Sequence, residues 1–423
     1  MKRYQLVVVG GGFAGAAAAI SAGRAGVSTL LIERGNCLGG AAAHALVNPF
    51  MPYRTQIDGE LVPLCRGIFE EIYNALAAMT QEEGDVSQAF AFHEEYLKLI
   101  LNRMALEAGV ELLYHADLTG AEVQGRRLRA VSVATTAGVL SIQADVFIDA
   151  TGDANLAALS GCPYHLGRER DSLCQPMTLC FRLGGIDLER AAANTAELQR
   201  KYRQFQAQGL IHNPREDVLL FESTLNGVQH FNSTRIVKRN PTDPVDVTQA
   251  EIEAREQVFE LFHFLKNNIP GYEHCFLLST ASEIGIRESR MIDGQYLLTG
   301  EDLKNCTKFP DAVALGNYDI DIHNPEGSGT AHYYFGPGEY YTVPYRALIP
   351  RQVENMLVAG RCISVTHEAQ ASIRIMPVVC CIGQAAGTAA ALAVQRQQAE
   401  CLSVSQVPVE ELQRVLRENH AAL

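Results

Sequence analysis

The 423-residue chain contains no tryptophan, and only 20% of its residues are charged. Its 35 lysines and arginines are outnumbered by 48 aspartates and glutamates, which gives a formal net charge of -13 at pH 7. A chain with this acidic balance has no general basic surface to hold a nucleic-acid backbone. We therefore expect no nucleic-acid partner.

Cysteines are also few and scattered. The chain has 11 of them, an odd number, and none lies in a Cys-x-x-Cys pair. A disulfide framework, a structural zinc site or an iron–sulfur cluster would each need a denser and more regular pattern. We therefore predict no metal and a reducing, cytoplasmic environment.

Long hydrophobic segments are missing as well. The apolar residues 6–9 run directly into glycines without the cleavage pattern of a signal peptide. Residues 377–394 form a longer run of small apolar residues, but glycine, glutamine and threonine interrupt it. This composition predicts a buried helix and not a membrane span, so no membrane partner is expected.

The N-terminal segment has the pattern of a dinucleotide-binding turn. Residues 5–9 are apolar and β-branched without alternation, which is typical of a parallel strand buried on both faces. Gly10, Gly12 and Gly15 follow in the Gly-x-Gly-x-x-Gly pattern, where a helix over residues 14–25 is predicted. In such a turn the glycines permit the reversal, admit a pyrophosphate and let the helix pack closely on the strand.

A second predicted strand, residues 28–32, completes a βαβ unit and ends at Glu33. An acid at this point is placed to accept hydrogen bonds from the hydroxyls of an unphosphorylated ribose, as in FAD or NAD. Gly39 and Gly40 follow shortly afterwards. A second glycine pair of this kind allows the extended FAD to pass close to the backbone, whereas NAD domains have no need of it.

Four further segments carry a family resemblance. Residues 146–153 form an apolar strand ending in Ala-Thr-Gly-Asp, residues 356–361 form another ending in Gly-Arg, and residues 367–377 precede the small-residue helix. With residues 284–302, they resemble the FAD-dependent oxidoreductases of the glutathione-reductase-like superfamily. Within it, the chain looks similar to flavin subunits related to heterodisulfide-reductase and fumarate-reductase flavoproteins. The resemblance is weakest between residues 185 and 275.

The resemblance implies FAD as the cofactor. It also implies that the helix after Pro377 directs its first amides at the pyrimidine edge of the flavin, where negative charge accumulates on reduction. The resemblance, the glycine turn and Glu33 together imply a set of residues that contact FAD. These are Gly10, Gly12, Phe13, Ala14, Gly15, Glu33, Arg34, Gly39, Gly40, Ala41, Leu118, Ala150, Thr151, Gly152, Asp153, Gly360, Arg361, Ile375, Met376 and Val378.

These patterns predict an α/β protein with a Rossmann-like FAD-binding domain that is discontinuous in sequence. We expect this domain to comprise residues 1–160 and 342–423, with residues 51–89 as an insertion or lid over the cofactor. Residues 161–341 alternate strand-like and helical runs and predict an inserted α+β domain that binds the substrate.

The resemblance places His367 and Arg374 at the active-site face, where the arginine would hold a carboxylate and the histidine would carry a proton. A structural, hydrogen-bonded histidine is the alternative for His367. Arg287 and Arg290 are further catalytic candidates, with an inter-domain salt bridge as the alternative. His44 is a minor candidate for covalent flavin attachment, against simple packing in its loop.

The predicted function is that of an FAD-dependent oxidoreductase. It would transfer a hydride between flavin N5 and a small anionic or polyhydroxylated organic substrate. One alternative is a flavin electron-transfer subunit that works with a protein partner; another, disfavoured by the acidic charge, is an RNA-modifying flavoprotein. No second Gly-x-Gly-x-x-Gly pattern is present, so the electron donor or acceptor is left open, as is a homo-oligomer.

Overall fold

The computed structural model describes residues 3–80, 91–397 and 403–423. Residues 81–89 of the predicted insertion lie outside the described residues. In chain order, the strands are β1 Arg3–Val9, β2 Thr29–Ile32, β3 Arg54–Ile57, β4 Glu60–Pro63, β5 Glu111–Leu113, β6 Asp117–Gln124, β7 Arg127–Thr135, β8 Gly138–Asp149, β9 Tyr164–Leu166, β10 Phe181–Gly184, β11 Leu220–Glu222, β12 Gln229–Phe231, β13 Phe276–Thr280, β14 Arg290–Ile292, β15 Ala312–Gly316, β16 Ile320–His323, β17 Thr330–Tyr333, β18 Tyr341–Pro344 and β19 Met356–Val358.

The α-helices, again in chain order, are α1 Phe13–Arg24, α2 Ala41–His44, α3 Ile68–Thr80, α4 Glu94–Glu107, α5 Asn155–Leu159, α6 Leu188–Ala193, α7 Thr195–Ala207, α8 Pro244–Asn268, α9 Gly300–Lys304, α10 His367–Ile373, α11 Met376–Gln397 and α12 Val409–Glu418. Short 3-10 helices cover Tyr345–Leu348 and Val404–Gln406.

The main sheet has the strand order β5-β2-β1-β8-β7-β6, and β19 pairs with β8. Strands β5, β2, β1, β8 and β19 are parallel, with Val7 opposite both Leu30 and Phe147. Strands β7 and β6 extend the sheet in antiparallel fashion. Val7 and Phe147 are completely buried, as expected for strands covered on both faces. The predicted α/β class with a Rossmann-like domain is confirmed.

Helix α11 packs along α1 on one face of this sheet. Cβ atoms added at Gly383 and Gly387 would each lie 2.1 Å from a backbone oxygen of α1, those of Ala14 and Ala18. The small residues therefore let the two helices approach closely. In the described part of the chain, α11 is the one helix long and apolar enough to cross a membrane, but its apolar stretch is entirely buried in the fold.

A second, smaller sheet has the order β11-β12-β10-β13, and its pairings are all antiparallel. The core beneath it draws its buried residues from positions 177–284, together with Leu46, and the partly buried Ile286 packs against it. Residues 291–341 instead contribute to the larger core, for example through Met291 and Tyr341. The limits of the substrate domain, residues 161–341, stay a prediction. The residues that pack into the smaller core cover a shorter range, about 177–286.

The described part of the 51–89 insertion forms the β3–β4 hairpin and helix α3. It is fastened to the larger core, because the Ile68 amide donates to Gln384 Oε1 of α11 over 3.1 Å. The hairpin also contacts the segment before β18, where the Gly338 amide donates to Thr55 Oγ1 over 3.0 Å. Its action as a lid stays a prediction.

His230, in the middle of β12, is a buried titratable group. Neither ring nitrogen has a hydrogen-bond partner in the described part of the chain, and the residue is only 2% exposed. Burial and the nearby positive charge of Arg182 lower the pKa of His230 to about 3. The folded protein therefore keeps this histidine neutral at pH values where an unfolded chain would protonate it.

Between about pH 6.5 and pH 3, the unfolded state binds a proton at His230 that the folded state does not bind. The free energy of unfolding should thus fall as the pH decreases, by about 2 kcal/mol at pH 5 from this residue alone. We expect His230→Phe to remove this contribution to the decrease in the free energy of unfolding. Urea unfolding at pH 7 and pH 5 measures the decrease. His274→Phe, at an exposed histidine, is the control; equal pH dependence in both variants would contradict the prediction.

Candidate cofactor and active site

A cavity of about 450 Å³ opens at the carboxyl ends of the parallel strands. Gly10 follows β1, Glu33 follows β2, Ala150 follows β8, and the Gly360 turn follows β19; all four line this cavity. Ligands of open α/β sheets bind at this edge, where the loops after neighbouring strands meet. The sheet topology therefore brings distant parts of the chain to one site.

The three fingerprint glycines have different roles. Gly10 has φ +101°, and a Cβ there would lie 2.4 Å from the Ala150 oxygen. A Cβ at Gly15 would lie 1.8 Å from the Gly10 oxygen, so this position serves the packing of α1 on β1. At Gly12, in contrast, the nearest atom to an added Cβ is Gly40 Cα at 3.9 Å. Gly12 is therefore left open toward the cavity, at the amino end of α1, where a pyrophosphate binds favourably.

Glu33 is fixed beside this turn by two backbone amides. Its Oε2 accepts from the Gly11 amide and its Oε1 from the Gly35 amide, each over 2.6 Å. The carboxylate is nearly buried but lines the cavity, and its oxygens keep further lone pairs for ribose hydroxyls. At the cavity wall nearby, the neighbouring Arg34 forms an ion pair with Glu283 of the middle region.

Asp149, at the end of β8, shapes the next turn of the site. Its Oδ1 accepts from the Thr151 amide (3.0 Å) and hydroxyl (2.7 Å), and its Oδ2 accepts from the Ala157 amide (2.8 Å). The residue is completely buried, and burial raises the pKa of its carboxyl group. Sequence reasoning missed Asp149 as a site residue, although an acid closing an otherwise apolar strand was the available signal.

Asp153 joins this turn to the turn after β19. Its Oδ1 accepts from Arg361 Nη2 over 2.7 Å and from Ser289 Oγ over 2.6 Å. Arg290 Nη1 donates to the Asp153 carbonyl oxygen over 3.1 Å and to Asn155 Oδ1 over 2.9 Å. Asp153 and Arg361 line the cavity, whereas Arg290 supports the turn but does not line the cavity.

The cavity wall also includes Arg374, with Met376 and Val379 of α11 and Ile286 of the middle region. Arg374 Nη2 lies 3.3 Å from both the backbone oxygen and Oδ2 of Asp321. Among the described residues, its Nε has no hydrogen-bond partner. A guanidinium at a cavity wall with donors left over from its protein contacts can bind an acceptor of a ligand.

His367 and Arg287 are not among the cavity-lining residues. His367 Nδ1 lies 2.7 Å from Oε1 of Glu288, and both residues are buried. The other carboxylate oxygen of Glu288 accepts from the Gln175 amide over 2.7 Å. Of the four catalytic candidates, Arg374 alone lines the cavity. His367, Arg287 and Arg290 instead bond to other parts of the protein.

Most of the implied cofactor residues line this cavity, namely Gly10, Gly12, Phe13, Ala14, Glu33, Arg34, Gly39, Gly40, Ala41, Leu118, Ala150, Thr151, Gly152, Asp153, Gly360, Arg361 and Met376. The wall does not include Gly15, Ile375 or Val378, the last of which is completely buried. His44 also lines the cavity, with Nε2 3.3 Å from the Cys37 oxygen; its covalent attachment to flavin stays a prediction.

A parallel sheet with a glycine turn and a ribose-binding acid at its carboxyl edge defines a dinucleotide-binding protein. The family model described as FAD dependent oxidoreductase matches residues 5–416. The chain belongs to this family, and its cofactor is FAD. The open position at Gly12, the helix terminus behind it and the fixed Glu33 carboxylate fit the pyrophosphate and ribose of that cofactor.

The chain is similar to solved structures at low sequence identity. BexE, studied for oxidation during BE-7585A biosynthesis, is 14% identical with a TM-score of 0.51, over 100% of this chain and 69% of BexE. A geranylgeranyl bacteriochlorophyll reductase-like protein from Thermoplasma acidophilum is 12% identical with a TM-score of 0.48, over 99% and 84%. At these identities, BexE shows the fold alone. No curated protein gives a significant match.

Proposed function

We propose that this protein is an FAD-dependent enzyme that transfers a hydride between flavin N5 and a small anionic organic substrate in the cytoplasm. When bound, FAD supplies the N5 atom that accepts or donates the hydride. The observation that carries the proposal is the cavity-lining guanidinium of Arg374, whose Nε–H has no acceptor among the residues that the structure describes. The likeness to heterodisulfide-reductase and fumarate-reductase flavin subunits is part of this proposal.

The roles follow from position. The amides at the start of α1, beside Gly12, bind the pyrophosphate, and Glu33 binds the ribose. Arg374 orients an oxygen of the substrate, because its backbone position between α10 and α11 and its contact with Asp321 restrict the guanidinium. A small molecule is thus proposed as the partner, with the electron donor or acceptor unassigned.

We expect Arg374→Gln to retain FAD and to lose turnover. A hydrogen bond from a charged group contributes about 1.5–3 kcal/mol, so kcat/KM should fall roughly 10- to 150-fold. The measurement is anaerobic bleaching of the flavin absorbance by hydroxy acids and amino acids, with the corresponding amides and esters as neutral analogues. Arg374→Lys, which keeps the charge, should lose less.

Arg414→Gln is the matched control, because Arg414 is exposed on α12 and forms a surface ion pair with Glu418. Unchanged kinetics in Arg374→Gln would remove Arg374 from the active site. Flavin that is reduced by a protein partner but by no small molecule would favour the electron-transfer alternative.

A further inference from the structure

Four arginines converge on one buried polar cluster between the small sheet and the β16–β17 hairpin. These are Arg215, Arg235, Arg287 and Arg374. Burial, together with the positive charges of the other three arginines, lowers the pKa of Arg287 to about 9. Four cations gathered in the interior of an acidic protein require counter-charges.

Three of these four arginines have a carboxylate partner: Arg215 Nε lies 2.9 Å from Asp217, Arg235 Nη1 lies 3.1 Å from Glu216, and Arg374 Nη2 lies 3.3 Å from Asp321. The nearby His323 does not change this balance. Its Nδ1 accepts from Arg235 Nη2 over 3.0 Å, so its proton is on Nε2, which faces Asp321 at 3.3 Å. Burial lowers the pKa of His323 to about 3, so the ring is neutral.

Among the residues that the structure describes, Arg287 bonds only to uncharged acceptors. Its Nη1 donates to the Pro176 oxygen over 2.6 Å and to Thr178 Oγ1 over 2.5 Å, and its Nη2 donates to Asn232 Oδ1 over 3.1 Å. Within the described ranges, no carboxylate lies at salt-bridge distance from it. Of its five N–H groups, Nε–H and one on Nη2 find no acceptor among the described residues.

Arg287 also lies next to the cavity. Ile286, the preceding residue, lines the cavity wall. The Arg287 carbonyl oxygen accepts from Gln370 Nε2 over 2.7 Å, and the Gln370 carbonyl oxygen accepts from the Arg374 amide at the end of α10 over 3.2 Å. Gln370 thus connects the backbone at Arg287 with the backbone at the cavity-lining Arg374.

We propose that Arg287 binds a carboxylate of the substrate through its free N–H groups, while Arg374, whose charge Asp321 already compensates, donates to a second oxygen. This inference rests on the proposed function, because it names the substrate class of the same cavity. A planar carboxylate matches the fork of a guanidinium and accepts two parallel hydrogen bonds from it. The anion would supply the counter-charge that Arg287 lacks.

The test is a titration of the FAD-loaded protein with sodium acetate, and with acetamide as the uncharged analogue, followed by flavin difference absorbance. We expect a saturable change with acetate and none with acetamide. In Arg287→Gln the Kd for acetate should rise at least about tenfold, as for other charged hydrogen bonds. Arg287→Lys should be intermediate because a lysine lacks the fork, and Arg414→Gln should match the unmodified protein.

Several results would overturn the proposal. One is the absence of a saturable acetate response in the unmodified protein, which needs no variant to fold. Another is an unchanged Kd for acetate in Arg287→Gln. If that variant does not retain FAD, an unchanged Kd in Arg287→Lys has the same meaning. Tighter binding of sulfate or phosphate than of acetate would mean that Arg287 binds a tetrahedral anion and not a carboxylate. Acetate binding without flavin reduction by any hydroxy or amino acid would instead contradict the proposed function alone.

Discussion

A Gly12→Val variant should fold normally and remain colourless. An added Cβ at Gly12 has no protein atom closer than 3.9 Å, and the backbone there is in an ordinary extended conformation, with φ -66° and ψ -177°. The valine side chain would instead occupy the space in front of the amino end of α1, where the pyrophosphate binds. The FAD content should therefore fall at least about tenfold, which corresponds to about 1.4 kcal/mol or more of binding free energy.

The measurement is the ratio of flavin to protein absorbance after reconstitution with FAD, together with the thermal unfolding midpoint of the apoprotein. Gly327→Val is the matched control, because a Cβ there meets no atom within 4 Å and the backbone has no positive φ. Gly15→Val should behave differently and fail to fold, since its Cβ would lie 1.8 Å from the Gly10 oxygen. A fully loaded, yellow Gly12→Val protein would contradict the binding geometry proposed for the cofactor.

The dinucleotide-binding part of the fold could be predicted because its signals are local. The apolar run of β1, the glycine turn and Glu33 lie within 33 residues, and each follows from backbone geometry or a single interaction. The small residues of α11 were equally informative, because they lie in one continuous segment and predict close helix packing directly. The observed helix begins at Met376, one residue before the predicted start at Pro377.

The substrate side could not be derived in the same way, because its contacts join distant segments. Arg287 and Arg290 are three residues apart, yet Arg287 bonds to Thr178 and Asn232 while Arg290 bonds to the turn after β8. No local pattern distinguishes an arginine with a carboxylate partner from one without. His367 shows the same limit, since its partner Glu288 is 79 positions away in sequence.

A buried ion pair between Glu94 and Arg182 joins helix α4 to strand β10 of the smaller sheet, and breaking it should cause a large loss of stability. Arg182 of β10 donates from Nη1 to Glu94 Oε1 over 2.5 Å and from Nη2 to Oε2 over 2.6 Å. Both residues are buried, and Glu94 is the first residue of α4, on the FAD side. Burial opposes ionisation of Glu94, but the hydrogen bonds and charge of Arg182 prevail and lower its pKa.

Glu94→Gln leaves the Arg182 charge buried without a counter-charge, and the free energy of unfolding should fall by about 3–5 kcal/mol. A Glu94→Leu/Arg182→Met double variant removes both charges and should lie close to the unmodified protein, because the paired charges themselves contribute little net stability. Urea unfolding is the measurement, with Glu418→Gln as the exposed-pair control, expected to lose no more than about 1 kcal/mol. If Glu94→Gln lost no more than Glu418→Gln, the pair would have to be hydrated in solution, and its role in joining α4 to the smaller sheet would be lost.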